Sequence, residues 1–152
     1  MLGRMFGVTG RRCPKRKVRQ METQTAKAIT VKDLYAEAHE AGMQAATKCT
    51  PTPMVVARVI DIATDEIDPS TIEVVDDGVC GFAWINIRPA RGAFVTYLKA
   101  AGIGSSDSYY GGYTIWVSDF NQSMTRKYEY AKAFAQVLES WGITANASSR
   151  MD

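Results

Sequence analysis

Residues 79–88, VCGFAWINIR, form the clearest β-strand pattern in the chain, and Pro89 ends it. The segment is rich in aromatic and β-branched residues, which fit the pleated surface of a sheet. Its small and aliphatic residues alternate with aromatic and polar ones, and this is the two-residue period of a strand. The pattern predicts a strand with one aliphatic side and a second side of unusual chemistry.

The sequence that follows this strand predicts the order β-α-β-β-α-β. The predicted elements are a helix over 91–101, a hairpin around Gly111-Gly112, a strand over 113–118, a helix over 123–141 and a strand over 143–148. This order is that of the split-βαβ, ferredoxin-like arrangement. We therefore expect an α+β fold, a two-layer sandwich with a ferredoxin-like core over about 79–149.

The sequence before this core predicts an added helix and one or two extra strands within a single domain, 21–152. A helix is expected over 31–48, because Thr30 and Asp33 have the spacing of a capping box. Strands are expected over 54–60 and 72–75. Asp77-Gly78 is a strong turn signal, and it predicts a hairpin into the strand at 79–88.

The alternation along the three best strands separates two faces of the predicted sheet. One face is aliphatic or small, and the other is polar apart from large aromatic residues. Aromatic side chains on such a face can stack on the bases of single-stranded nucleic acid. The predicted binding residues here are Phe82, Trp84, Asn86, Arg88 and Trp116. The pattern favours an alternative, in which the first helix covers these aromatics with its small residues.

The start of the third helix is a second candidate binding element. Backbone N–H groups at a helix N-terminus can hold an anion, and Arg126 and Lys127 lie in its first turn. Lys127 falls inside the apolar arc of the helix, from which it would either extend to solvent or point at a ligand. The alternative is a capped and solvated helix start.

No segment predicts a catalytic residue, a metal site or a cofactor. His39 has no partner identifiable from sequence, and Cys13, Cys49 and Cys80 lack disulfide or zinc-site spacing. The acidic residues of 61–77 lack the spacing of a calcium loop. A small phosphate-ester-processing enzyme that uses His39 with Arg126 or Lys127 remains an alternative.

Charge is distributed unevenly along the chain. Residues 1–20 carry seven basic and no acidic side chains, whereas the remainder carries 11 of the 18 basic residues and all 16 acidic ones. We expect 1–20 to be a disordered basic arm or a start-site extension, with the second interpretation favoured by Met5 and Met21. No apolar run approaches the length of a membrane span, so no membrane partner is expected.

Several runs of residues resemble a family of small proteins from tailed bacteriophages and prophages. They are Ala38–Met43, Pro51–Met54, Asp77–Trp84, Tyr110–Gly112 with Ile115–Val117, Gln122–Met124 with Arg126-Lys127, and Ser149–Asp152. The resemblance covers about 31–152 and implies expression in the cytoplasm of a bacterial host, with no assigned activity. The resulting expectation is a phage accessory protein that binds nucleic acid or a host protein without catalysis. A minor virion or assembly component is a further alternative.

Overall fold

A computed structural model describes residues 29–152, so the predictions for 1–20 and 21–28 lie outside the described residues. The helices are α1 (Val31–Lys48), α2 (Ala93–Ala100) and α3 (Met124–Ser140). The strands are β1 (Met54–Val56), β2 (Val59–Asp61), β3 (Glu66–Ile67), β4 (Glu73–Val75), β5 (Gly81–Ile87), β6 (Ser105–Ser106), β7 (Tyr113–Trp116) and β8 (Ala145–Met151). The chain is an α+β protein, as the sequence predicts. Across 29–152, no helix is both long and apolar enough to span a membrane.

The main sheet has four strands in the order β6-β7-β5-β8, and every neighbouring pair is antiparallel. The strand predicted at 79–88 lies in its interior as β5, between β7 and β8. Ala83, Ile85 and Ile87 are almost fully buried, so the aliphatic side of β5 faces the core. Helix α3 packs on β5 and β8, and Phe134 and Leu138 are the largest of its fully buried side chains.

Helix α1 has the predicted bounds and the predicted capping box. The Thr30 hydroxyl accepts from the Asp33 N–H, and the Asp33 carboxylate accepts from the Thr30 N–H. Its small-residue side packs against α3, with Gly42 beneath the ring of Tyr130. The prediction that this helix covers the aromatic side of the sheet is wrong, because α3 already offers it an apolar surface on the other side.

Residues 54–75 form two separate two-stranded sheets, β1 with β4 and β2 with β3. The prediction of one or two extra strands is therefore corrected to four short ones. The predicted Asp77-Gly78 hairpin into β5 is also wrong. A turn closes there through the hydrogen bond from Gly78 N–H to Val75 O, at 3.1 Å, but β4 pairs with β1 because β7 and β8 occupy both edges of β5.

Candidate binding surface

The aromatic face is the side of the main sheet that carries Phe82, Trp84 and Trp116. Trp84 and Trp116 lie directly opposite each other on β5 and β7, with ring centroids 5.0 Å apart and an interplanar angle of 42°. Phe82 meets Trp116 edge-on, at 6.5 Å. Trp116 is 54% exposed, and none of the three helices in 29–152 packs on this side. The aromatic cluster predicted from sequence is thus assembled and open.

The loop of residues 107–112, between β6 and β7, borders the aromatic face. Asp107 organises it: one carboxylate oxygen accepts from the N–H groups of Tyr109 and Tyr110, both at 2.9 Å, and the other accepts from the Thr114 hydroxyl. The Tyr110 N–H bond is the main reason that the pKa of Asp107 lies below its ordinary value of 3.8, and the charge of Arg88 adds to it. The ionised carboxylate therefore holds the loop at neutral pH, and this contribution begins to be lost only below pH 3.8.

Asn86 and Arg88 tie the same loop to the sheet. The Asn86 amide, which is buried, donates to Gly111 O at 2.9 Å and to the Thr114 hydroxyl at 3.0 Å. Its oxygen accepts from Arg88 Nε at 2.9 Å, and the Arg88 Nη2 group donates to Tyr110 O. Both predicted residues, Asn86 and Arg88, lie on the aromatic face, where the Asn86 side chain holds the 107–112 loop against the sheet. Arg88 uses two of its five N–H donors in these hydrogen bonds, so its other N–H groups can donate to a ligand.

Two adjacent cavities lie on this face. The first, of about 360 Å³, is lined by Trp84, Asn86, Arg88, Tyr110, Asn146 and Ser148. The second, of about 300 Å³, is lined by Trp84, Asp107, Tyr109, Tyr110, Trp116 and Arg150. Trp84 and Tyr110 line both cavities and so stand between them. Each volume is within the range of small-ligand sites.

Strand β8 supplies residues that the sequence prediction missed. Arg150 lies opposite Phe82 in the register, with its guanidinium 5.8 Å from the ring centre, a cation–π distance. The predicted last strand stops at Ser148, whereas β8 continues to Met151. The same alternation, extended by two residues, would have placed Arg150 on this face. Tyr109 and Tyr110 lie in the 107–112 loop, where no strand alternation could have predicted their place beside this face.

Arg126 lines neither cavity of the aromatic face, whereas the ammonium of Lys127 reaches the inner edge of that face and lies 5.8 Å from the Phe82 ring centre. The predicted anion site at the start of α3 is corrected. Lys127 is buried, at 5% exposure, and its ammonium donates to Gly81 O at 3.2 Å. Arg126 Nε lies 3.7 Å from an Asp77 carboxylate oxygen. Two of the first N–H groups of α3 already have partners, since Met124 N–H donates to Val79 O and Arg126 N–H to the Ser123 hydroxyl. These groups hold the start of β5 against α3.

His39 contacts neither of these basic residues. Its Nδ1 lies 2.6 Å from the Tyr130 hydroxyl, and its ring stacks parallel to that of Tyr35. Burial is the main cause that raises the pKa of Tyr130, so this hydroxyl stays protonated. Within 29–152, no group of three or more His, Cys, Asp or Glu side chains could hold a metal ion. The phosphate-ester alternative therefore lacks the convergence of His39 and Lys127 that it requires.

Comparison with known proteins identifies no relative of this chain. The chain matches no protein-family model, no curated protein and no solved structure.

Proposed function

We propose that this chain is a non-enzymatic phage accessory protein that binds single-stranded nucleic acid across the aromatic face. The observation that carries the proposal is the pair Trp84–Trp116 on an open sheet face, with Trp116 more than half exposed. A large aromatic side chain gains free energy by burial, so an exposed cluster indicates a surface that receives a ligand.

The chemistry of the face fits a polynucleotide. Bases of any sequence stack on aromatic rings, at roughly 1–3 kcal/mol per base. Arg88 and Arg150 line the two neighbouring cavities and supply positive charge for phosphates. Among residues 29–152, Asp107 is the only acidic residue that lines either cavity, and its carboxylate accepts hydrogen bonds from the 107–112 loop and from Thr114.

The ferredoxin-like core is part of this proposal. Strand β7 lies between β5 and β6, the two strands that helix α2 connects, and this insertion is what a split-βαβ unit requires. Sheets of this kind are used by RNA-binding domains that stack bases on central strands. The phage origin and the location in a bacterial cytoplasm come from the resemblance of 31–152 to phage proteins.

Tryptophan fluorescence provides the first test. Trp141 is the C-cap of α3 and lines neither cavity of the aromatic face, so the Trp141→Phe variant of the full chain leaves Trp84 and Trp116 as reporters. Titration with short single-stranded DNA and RNA should give saturable quenching that weakens as the salt concentration rises. The same titration with duplex DNA should give little quenching, because paired bases are not available for stacking.

Three substitutions separate the aromatic face from other contacts. Loss of one stacking ring in Trp116→Ala should weaken binding of a labelled oligonucleotide about tenfold. Trp141→Ala removes a tryptophan of similar exposure, 47%, and should leave binding unchanged. Lys127→Met should weaken binding less than Trp116→Ala does, since the Lys127 ammonium donates to Gly81 O and approaches only the Phe82 ring, at 5.8 Å.

Absence of quenching with every oligonucleotide would contradict the proposal and point to a protein partner for the aromatic face. Equal weakening by Trp116→Ala and Trp141→Ala would also contradict it. The role of a minor virion or assembly component stays a prediction without a structural observation in its favour.

A further inference from the structure

We propose that the cavity beside Trp84 is a base-selective subsite that prefers adenine and reads it through the side-chain amide of Asn146. This inference rests on the proposed binding of single-stranded nucleic acid, and it adds sequence preference to a surface that would otherwise stack any base. The cavity, about 360 Å³, lies between the strands β5 and β8 and the loop 107–112.

The walls of this cavity combine aromatic rings with polar side chains. Trp84 lies opposite Ser148 in the β5–β8 register, and Asn86 lies opposite Asn146, so all four share one face of the sheet. Tyr110 enters from the loop and is 61% exposed. A planar ligand on the Trp84 ring would therefore have polar side chains of β8 along its edge.

The hydrogen bonds within the cavity divide its polar groups into occupied and free ones. The Asn86 amide is fully used, because it joins Gly111, Thr114 and Arg88. The side chains of Asn146 and Ser148 have no hydrogen-bond partner among the residues that the structure describes. The free groups are thus a side-chain amide and a hydroxyl, next to an aromatic ring.

The amide of Asn146 selects among bases by its donor and acceptor pattern. An asparagine amide pairs with adenine through two hydrogen bonds, donating to N7 and accepting from the N6 amino group. Guanine presents two acceptors at the same edge, so only one of these bonds can form. Arg88 donates to the Asn86 side-chain oxygen and to Tyr110 O, and these hydrogen bonds fix the side of the cavity formed by β5 and the 107–112 loop. The Asn146 side chain on β8 is then the group that contacts the edge of the base.

The test measures base preference separately from binding. The probes are short oligothymidylates in which the central residue is thymine, adenine, cytosine or guanine, titrated against the full chain with the Trp141→Phe change. We expect the adenine-containing probe to bind about tenfold more tightly than the others. Asn146→Ala should remove this preference, so that the adenine-containing probe and oligothymidylate bind this variant with affinities within about twofold of each other.

Asn146 is exposed on β8, so Asn146→Ala is expected to fold normally, and Asn146→Asp provides a second variant of the same size. Asn146→Asp should reduce the adenine preference too, because a carboxylate cannot donate to N7. Equal affinity for all four probes, or a preference that survives Asn146→Ala, would overturn the inference while leaving the proposed function standing. Failure of every probe to bind would instead reject the proposed function itself.

Discussion

At the scale of single residues, Gly112 decides whether the 107–112 loop can sit against the sheet. Its φ is +92°, a conformation that side-chain-bearing residues rarely adopt. A Cβ at this position would lie 2.7 Å from Ile87 O and 3.0 Å from Asn86 Oδ1. The loop can therefore reach Asn86 and Arg88 only because residue 112 has no side chain.

We predict that Gly112→Ala weakens nucleic-acid binding several-fold, because the displaced loop removes Tyr110 from both cavities. The free energy of unfolding should also fall, by about 1–3 kcal/mol for the strained backbone alone. Gly111→Ala is the matched control, since Gly111 has a similar φ of +73° but open space around its Cβ position. Titration and denaturant unfolding of both variants provide the measurements. An equal effect of the two changes on binding would mean that close packing at Gly112 is not what places the loop.

At the scale of secondary-structure elements, the contact between α1 and α3 determines which side of the sheet stays open. Gly42 and the buried Ala38 and Ala46 let the two helices approach closely. The Tyr130 ring lies against Gly42, and its hydroxyl meets His39 on the same helix. Because these contacts place α1 on the helical side, the aromatic face remains uncovered within 29–152.

We predict that Gly42→Ala destabilises the fold although alanine is the better helix former. A Cβ there would lie 2.6 Å from a Tyr130 ring carbon, and overpacking of this kind costs about 1–3 kcal/mol. Ala36→Ser adds one heavy atom at an exposed position of the same helix and should change the free energy of unfolding by less than about 0.5 kcal/mol. Urea denaturation measures both values. A Gly42→Ala variant as stable as the unmodified chain would show that α1 is not tightly held on α3.

At the scale of the whole molecule, the segment 54–75 is set apart from the core. Its four strands make their principal contacts with one another. Isolated two-stranded sheets are only marginally stable in water. Eight apolar side chains of this segment are exposed: Val55, Val56, Val59, Ile60, Ile62, Ile67, Ile72 and Val74.

We predict that segment 54–75 exchanges its backbone amide hydrogens with solvent much faster than β5 and α3. Few buried contacts oppose its local opening, whereas opening of β5 requires the core itself to separate. Hydrogen exchange followed by mass spectrometry on the full chain measures the difference. Protection of 54–75 equal to that of α3 would contradict this description of the isolated chain and would show that its apolar side chains are covered in solution.

Local patterns predict β5, α2, β7 and α3 in the second half of the chain, although β8 extends to Met151, beyond its predicted end at Ser148. The alternation of 79–88 and the spacing of Ala131, Ala135 and Leu138 in α3 predict both the elements and their buried sides. The reason is that burial on one face leaves a period of two residues in a strand and of about 3.6 in a helix. Caps and glycines marked several boundaries equally well, as Thr30 and Asp33 did for α1.

Contacts between residues distant in the sequence decided the rest, because no local period encodes them. The turn at Asp77-Gly78 was recognised, yet its strand partner depended on β7 and β8 already occupying both edges of β5. The helical wheel leaves open whether Lys127 extends to solvent or points at a ligand, but its ammonium donates to Gly81 O and lies next to the Phe82 ring. The small-residue side of α1 was evident, and only its packing on α3 left Trp84 and Trp116 open. The alternation of residues therefore predicts the composition of the aromatic face. Its exposure depends on the packing of α1 against α3, which no local pattern encodes.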